Sequence, residues 1–248
     1  MTTTQKIQKR LNDSKAARWS ALIIVSFTMM MAYFFTDVMG PLEAPLTTKG
    51  KIVYFTYGTY LSADSLMKIS TNPINSADEI VVGNEYRTMS IGESGSIESK
   101  DVKVSSTING LGWGGDNYGI FSGAYGYINV FLFMLFFGGL ILDKMGVRFT
   151  ALLSGVVMLV GAAINWYAVT EAFMGSSLET WFNNHLNYIP GFDELGISPF
   201  YLGMPASAKF AAVGFMIFGC GVEMAGITVS RGIVKWFKGR EMALAMGS

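Results

Sequence analysis

Four long stretches with almost no charge limit the folds open to this chain more than any other feature. A helix needs roughly 20 apolar residues to cross a bilayer core about 30 Å thick. Charged residues make up 15% of the sequence, against roughly 25% in soluble domains. The pattern predicts a membrane protein with four spanning helices, TM1 to TM4. The uncharged stretches are 19–36, 117–142, 149–170 and, apart from Glu223, 210–230.

The predicted organisation is all-α within the membrane, with longer segments outside it. The chain stops within what reads as the opening of a fifth helix, so we expect a truncated chain or one part of a longer protein. The segments in chain order are a cytoplasmic tail (1–18), TM1 (19–40), an extracytoplasmic loop or insert (41–116), TM2 (117–142), a cytoplasmic loop (143–148), TM3 (149–170), an extracytoplasmic loop (171–205), TM4 (206–230), a cytoplasmic loop (231–239) and the start of TM5 (240–248).

The distribution of Lys and Arg predicts the orientation. Basic residues lie in the tail, between TM2 and TM3, and after TM4, whereas the segment 172–204 has acids and no Lys or Arg. Loops rich in Lys and Arg stay on the cytoplasmic side. All three basic segments share that side if the N-terminus is cytoplasmic.

The insert contains short β-prone runs separated by Gly, Asn and Ser, at 52–55, 80–82 and 102–104. Such runs indicate strands. We expect a small β-rich cap outside the membrane, and a poorly ordered loop is the alternative.

The segment between TM2 and TM3 carries the most specific motif, Gly-Leu-Ile-Leu-Asp-Lys-Met-Gly-Val-Arg at 139–148. Gly139 is expected to let helices pack closely, and Gly146 to permit a tight turn. Asp143 can pair with an Arg or face a helix N-terminus. Lys144 and Arg148 are expected to hold the loop at the cytoplasmic surface. In spacing and position the segment resembles the loop signature of the major facilitator superfamily.

A second element of that superfamily, Trp-Phe followed by a basic residue, Glu and Ala, is similar to the segment 231–245. A looser resemblance, to the branch with the lysosomal dipeptide uniporter and its bacterial relatives, rests on Arg18-Trp19, Tyr33, Asp37-Val38, 127–130 and 235–237.

The resemblance implies the N-terminal half of a transporter in which two six-helix bundles rock about a central site. It implies a secondary transporter of a small organic solute, with peptides or amino-acid-like compounds as a candidate class. The Asp143 loop would then be a cytoplasmic gate. We expect lipid and a small-molecule substrate as partners, a monomer when complete, and a bacterial inner membrane as the location. No cofactor, metal or nucleic acid is expected.

Polar residues on TM1 recur at spacings that place them on one helical face. This stripe contains Ser26, Tyr33 and Asp37, and a similar stripe on TM2 contains Tyr125 and Asn129. A polar stripe on a membrane helix should face protein or water. Ser26, Tyr33 and Asn129 are therefore candidates for a substrate or proton site. Asp37, near the outer end of TM1, is a candidate outer gate.

Glu223 is the strongest single indication of a functional site, because an ionisable group inside the bilayer costs about 2.5–3.5 kcal/mol on insertion scales. It could bind a cationic substrate group or carry a coupling proton. It could instead pair with Arg231, which follows eight residues later and roughly 12 Å along the helix axis. The sequence leaves these alternatives open.

Two other classes of function are alternatives to a transporter. A non-transporting receptor or scaffold could use the long outside loop to bind a partner. An enzyme would need a catalytic constellation, and the sequence shows no such set of residues. A nucleic-acid binder has no support from the charge, because 18 basic residues balance 18 acidic ones.

Overall fold

The computed structural model describes residues 14–91, 96–131, 134–185, 204–239 and 241–246. The tail 1–13, most of the predicted loop 171–205, Arg240 and the last two residues lie outside this range. The chain divides into two compact units. One comprises residues 1–39, 121–182 and 209–248, and the other comprises residues 40–120 and 183–208.

The described residues form helices and one sheet. The helices are α1 (Lys15–Asp37), α2 (Glu43–Thr47), α3 (Ala63–Ile69), α4 (Gly115–Gly123), α5 (Tyr125–Phe131), α6 (Met134–Ala168), α7 (Ser177–Asn184), α8 (Ala206–Phe237) and α9 (Met242–Met246), with a 3₁₀ turn at Ala77–Glu79. The strands are β1 (Lys49–Phe55), β2 (Tyr60–Ser62), β3 (Glu85–Ile91) and β4 (Ile97–Leu111).

Three helical stretches among the described residues are long and apolar enough to cross a membrane: Lys15–Asp37, Phe136–Ala168 and Ala206–Phe237. Large apolar side chains on α1 are exposed, among them Ile23 and Phe27, which are 67% and 58% exposed. Soluble proteins rarely leave such continuous apolar surface in water. The membrane character predicted from the sequence is therefore supported by both length and surface.

Helix α6 is broken at Gly146, where φ is 82° and ψ is 166°. This left-handed backbone favours glycine, because a Cβ would clash with the main chain. The break falls inside the predicted loop 143–148 and separates two helical segments, 134–145 and 147–168. The Thr150 hydroxyl donates a hydrogen bond of 3.0 Å to the Gly146 carbonyl, at the start of the second segment.

The two segments run in opposite directions along α8. In the first segment, Gly138 packs against Met224, and the later residue Asp143 pairs with Arg231. Successive residues of this segment therefore contact α8 nearer to its C-terminal end. In the second, the contacts move back along α8, from Gly221 beside Ser154 to Gly214 beside Asn165. The chain therefore reverses at the glycine, as a turn between two helices requires.

Predicted TM2 differs from one continuous helix. Its described residues form α4, α5 and the first segment of α6, with a break at Ala124. Here the Ala124 amide donates to the Phe121 carbonyl and the Tyr127 amide donates to the Ala124 carbonyl, both across three residues. Nearby Gly123 and Gly126 lower the helix propensity. The described part of predicted TM2 is therefore helical, with one irregularity at Ala124 in a glycine-rich stretch.

The fold is not wholly helical, because the predicted insert contains a four-stranded antiparallel sheet in the order β2-β1-β4-β3. The β-rich insert expected from the sequence is confirmed, and the runs 52–55 and 102–104 lie in β1 and β4. The buried core on one face of the sheet contains Val53, Phe55, Ala63, Leu66, Ile80, Tyr86 and Val104.

The prediction of a strand at 80–82 is wrong. Ile80 follows the 3₁₀ turn and enters the core, while Val81 and Val82 are half exposed. The Tyr86 hydroxyl accepts a hydrogen bond from the Val81 amide and donates to the Glu79 carbonyl. The Tyr86 side chain therefore makes the hydrogen bonds to the Glu79 and Val81 backbone that a neighbouring strand would otherwise make.

An ion pair joins the exposed faces of β3 and β4. The Arg87 Nε atom lies 2.8 Å from Asp101 Oδ1, and the two residues are directly opposite in the register. The hydrogen bond from Arg87 holds the pKa of the Asp101 carboxyl below its ordinary value. The pair therefore contributes to register at neutral pH, and its contribution is lost as the pH falls through that lowered pKa.

Glycines set the distance between α8 and the segment 147–168. A Cβ added at Gly161 would lie 2.5 Å from the Phe218 amide nitrogen and 2.6 Å from the Gly214 carbonyl oxygen. Both atoms belong to the backbone and cannot turn aside. Small residues let membrane helices approach this closely.

We expect Gly161→Ala to lower the free energy of unfolding by about 1–3 kcal/mol, because the new methyl group forces the two backbones apart. Thermal unfolding of the protein in detergent measures the change. Gly155→Ala is the matched control, since no atom lies within 4 Å of a Cβ at that position. Equal stability of the two variants would contradict the close approach.

Candidate functional site

A polar cluster lies between α5 and α8, around Glu223. The Tyr125 hydroxyl donates a hydrogen bond of 3.3 Å to Glu223 Oε1. One turn beyond Tyr125, the Asn129 Nδ2 atom donates to the Tyr125 carbonyl at 3.0 Å. A Cβ at Gly219 would lie 2.5 Å from the same carbonyl oxygen. Gly219 and Glu223 are four residues apart and share a face of α8, so the glycine brings α5 within reach of the carboxyl group.

The cluster has more acceptor atoms than donors. Asn129 Oδ1 is buried and has no hydrogen-bond partner in the part of the chain that the structure describes. Glu223 is half-buried, and Tyr125 is the donor that the structure places on it. A buried carboxylate needs a cation, a proton or donors to offset its lost hydration. This arrangement suits a proton or a positively charged group.

Aromatic rings surround one side of the cluster. Phe215 stacks on Phe121 with ring centroids 5.1 Å apart and lies 5.6 Å from the Tyr125 ring. Phe218 follows at 6.1 Å from Phe215. Aromatic faces attract cations as well as excluding water. Phe215 packs against Tyr125 and so helps to fix the hydroxyl group that donates to Glu223.

The structure brings some of the predicted residues together and leaves others apart. Asn129 lies in the cluster, whereas Tyr33 lies on α1 and is 54% exposed. Ser26 and Asp37 are exposed on α1, and the contacts given for the described residues do not include either in the cluster. Tyr125 belongs to the predicted stripe on TM2, but the sequence alone did not single it out as a site residue.

Arg231 pairs with Asp143, not with Glu223. Its Nη1 atom lies 2.7 Å from Asp143 Oδ1. This corrects the alternative in which Arg231 neutralises Glu223. Arg231 follows Glu223 by eight positions on α8, roughly 12 Å along the helix axis, which explains the separation. The pair joins the first segment of α6 to α8, across the turn at Gly146.

Among the remaining residues of the signature segment, the glycine that packs closely is not the one expected. Gly138, not Gly139, makes the close contact, since its Cβ would lie 3.1 Å from Ile227 Cδ1 and nothing lies within 4 Å of one at Gly139. Lys144 and Arg148 are exposed. The Asp143–Arg231 pair borders a cleft of about 360 Å³ that Lys235 and Lys238 also line.

Sequence reasoning missed the partnership of Arg18 with Glu241. The Arg18 Nη2 atom lies 3.1 Å from Glu241 Oε2, and Arg18 is only 4% exposed. The available signal was an arginine directly before the first apolar stretch. Its partner lies 223 residues away along the chain, so no local pattern could identify it.

Lys209 is a second missed residue. It lies within predicted TM4, is 2% exposed, and its Nζ atom donates a hydrogen bond of 3.0 Å to the Phe182 carbonyl. A lysine inside an otherwise apolar helix was the available signal. The contact fastens the C-terminal part of α7 to the beginning of α8.

Trp113 fixes the segment between β4 and α4. Its side chain is 2% exposed, and its Nε1 atom donates a hydrogen bond of 2.9 Å to the Ser207 hydroxyl. The Trp113 amide also donates to the Leu46 carbonyl at 2.8 Å. The glycine-rich segment around Trp113 is therefore an anchoring loop.

Among the described residues, no group of three or more His, Cys, Asp or Glu side chains could hold a metal ion. Comparison with protein-family models, with curated proteins and with solved structures finds no match to this chain.

We expect Asp143→Asn to lower the free energy of unfolding by no more than about 1 kcal/mol, because exposed ion pairs contribute little stability. Both side chains of the pair are 58% exposed. Thermal unfolding in detergent tests this, with Lys144→Gln as the control on a neighbouring exposed charge. A loss of several kcal/mol would show that the pair is a structural support.

Proposed function

We propose that the protein is a secondary transporter of a small organic solute, of the major facilitator type, working by alternating access. The observation that carries the proposal is Glu223, an acid within a long apolar helix, hydrogen-bonded to Tyr125. Among the described residues, the nearby Asn129 Oδ1 atom has no hydrogen-bond partner. Ionisable residues within membrane helices usually face a cavity or a partner and serve transport of ions or substrates.

The chemistry of the cluster favours a cationic group or a proton as its ligand. Its described polar atoms offer a carboxylate and an amide oxygen, and aromatic rings lie alongside. A substrate with a protonated amine, such as a peptide or an amino acid, matches these acceptors. A proton on Glu223 would serve coupling instead, and the variant experiment below separates the two roles.

Asp143 and Arg231 fit the role of a cytoplasmic gate contact. Their charges are paired at 2.7 Å, yet both side chains are largely exposed. Such a pair can open at little cost, because water replaces the lost interaction. The flanking Lys144, Lys235 and Lys238 supply further positive charge on the side that the Lys and Arg distribution assigns to the cytoplasm.

The alternative function, a receptor or scaffold, is favoured by one observation. The sheet of the insert is folded and presents exposed apolar side chains on β3 and β4, with Ile91 81% exposed and Ile97 75% exposed. A partner could cover them. Solute flux in proteoliposomes with the full-length protein distinguishes the alternatives, because a receptor binds without catalysing flux.

Asp143→Asn is expected to abolish uptake while leaving membrane insertion intact, because the closed gate loses its charge contact. The substrate for the assay is the compound that most raises the melting temperature among amino acids, dipeptides, sugars and organic acids. Glu171→Gln, which removes an exposed charge outside the signature segment, is the control. Full uptake by a well-expressed Asp143→Asn protein would defeat the gate assignment.

Glu223→Gln is expected to weaken binding of a cationic substrate by at least about 30-fold, since removal of a buried charge partner costs 2 kcal/mol or more. If Glu223 instead carries the coupling proton, substrate exchange persists and proton flux stops. Glu171→Gln, at an exposed position outside the predicted spans, is the control. Unchanged binding together with unchanged proton flux would remove Glu223 from the site.

A further inference from the structure

Two ion pairs hold the C-terminal end of α8, and they differ in burial. Asp143 and Arg231 are both 58% exposed, whereas the Arg18 side chain is 5% exposed and that of its partner Glu241 is 34% exposed. Glu241 lies directly before α9, and Arg18 lies in the first turns of α1. The first pair connects α6 to α8. The second connects α1 to the residue before α9, and Arg18 also contacts Phe237, the last residue of α8.

The Arg18–Glu241 pair sits in an aromatic and apolar cluster. The Arg18 guanidinium lies 5.9 Å from the centroid of the Phe237 ring, and Trp19 meets that ring edge-on at 5.7 Å. Leu22 and Ala245 are buried against Phe237 in the same cluster. These apolar groups exclude water from the Arg18 guanidinium, which pairs with Glu241. Lys15 adds a longer contact to Glu241 at 3.7 Å and is itself exposed.

Next to this cluster the packing is incomplete. A cavity of about 220 Å³ lies between α1, the segment 147–168 and α8, and its lining includes Arg18, Val147, Thr228 and Gly232. Beside the cavity, α1 and α8 are held by the cluster in which Leu22 packs on Phe237 and Arg18 pairs with Glu241.

We propose that Arg18 and Glu241 are positioning residues that form a permanent joint between the start of α1 and the end of α8. The joint makes α1 and α8 move together, while the exposed Asp143–Arg231 pair is the contact that releases. This role rests on the proposed transport function, because α1 carries Tyr33 and α8 carries Glu223. The joint keeps these two side chains at a fixed separation.

The first test measures access of water to the cavity and needs no substrate. In a Cys220→Ser background, Gly232→Cys places a thiol on the cavity wall, where a Cβ meets no atom within 4 Å. The full-length protein in lipid nanodiscs is labelled with a water-soluble maleimide. Glu241→Gln and Arg18→Gln are each expected to raise the labelling rate roughly tenfold, because loss of the joint lets α1 move away from α8 and widens the entrance to the cavity.

The controls separate a joint from a merely structural charge. Lys15→Gln removes the exposed partner and should leave the labelling rate within about twofold of the parent. The double swap Arg18→Glu with Glu241→Arg should return the rate towards the parent value. A labelling rate that Glu241→Gln leaves unchanged in monodisperse protein, or a double swap no better than the single variants, would overturn the joint.

A second arm tests whether the joint stays closed during transport. A short bifunctional thiol reagent bridges Ala21→Cys to Gly232→Cys, which line the cavity beside the joint, or Val147→Cys to Val234→Cys, which line the cleft beside the Asp143–Arg231 pair, in the Cys220→Ser protein. The first bridge is expected to preserve uptake and the second to stop it. Loss of uptake on forming the first bridge would show that the joint must open, and would overturn it. Absence of uptake in the unbridged parent would count against the transport function alone, since the labelling result stands without it.

Discussion

The close approach of backbones along α8 is the constraint on which the larger unit depends. Between lipid-exposed helices there is little hydrophobic driving force, so association relies on packing and hydrogen bonds. Gly214 and Gly221 admit the segment 147–168, and Gly219 admits Tyr125. Glu223 follows two residues after Gly221, so the glycine contacts also fix where its carboxyl group lies.

The polar contacts of this unit differ in how deeply they are buried. Glu223 is half-buried with a neutral donor, Arg18 is buried with a charged partner, and the Asp143–Arg231 pair is largely exposed. The penalty for leaving a charge without its partner rises with burial. Exposed pairs can exchange with water, whereas buried pairs hold one arrangement. A membrane protein that changes shape needs both kinds of contact.

The sequence predicted the features that depend on local pattern. The apolar stretches, the turn at Gly146 and the strands around 52–55 and 102–104 follow from composition and periodicity. The residues against which each helix face packs do not follow from composition and periodicity. Gly138 and Gly139 differ by one position, about 100° around a helix, and only the packed structure shows that Gly138 meets α8. The partners of Arg231 and Arg18 are likewise set by tertiary packing.

The errors in the predicted insert have a similar cause. The run 80–82 has the composition of a strand, but the Tyr86 hydroxyl and the core position of Ile80 direct the chain into a turn instead. Lys209 and Trp113 also have roles that composition does not reveal, because their acceptors, Phe182 and Ser207, lie far away along the chain. Long-range hydrogen bonds are the information that a single sequence lacks.

The hydrogen bond from Trp113 to Ser207 gives the indole a reporting role. Ser207 is the second residue of α8, and α8 is one continuous helix that also carries Glu223. Sliding or rotation of α8 about its axis would move the Ser207 hydroxyl away from the Trp113 indole nitrogen. The polarity around the indole ring would then change. The intrinsic fluorescence of Trp113 would then report the motion of the helix that carries Glu223.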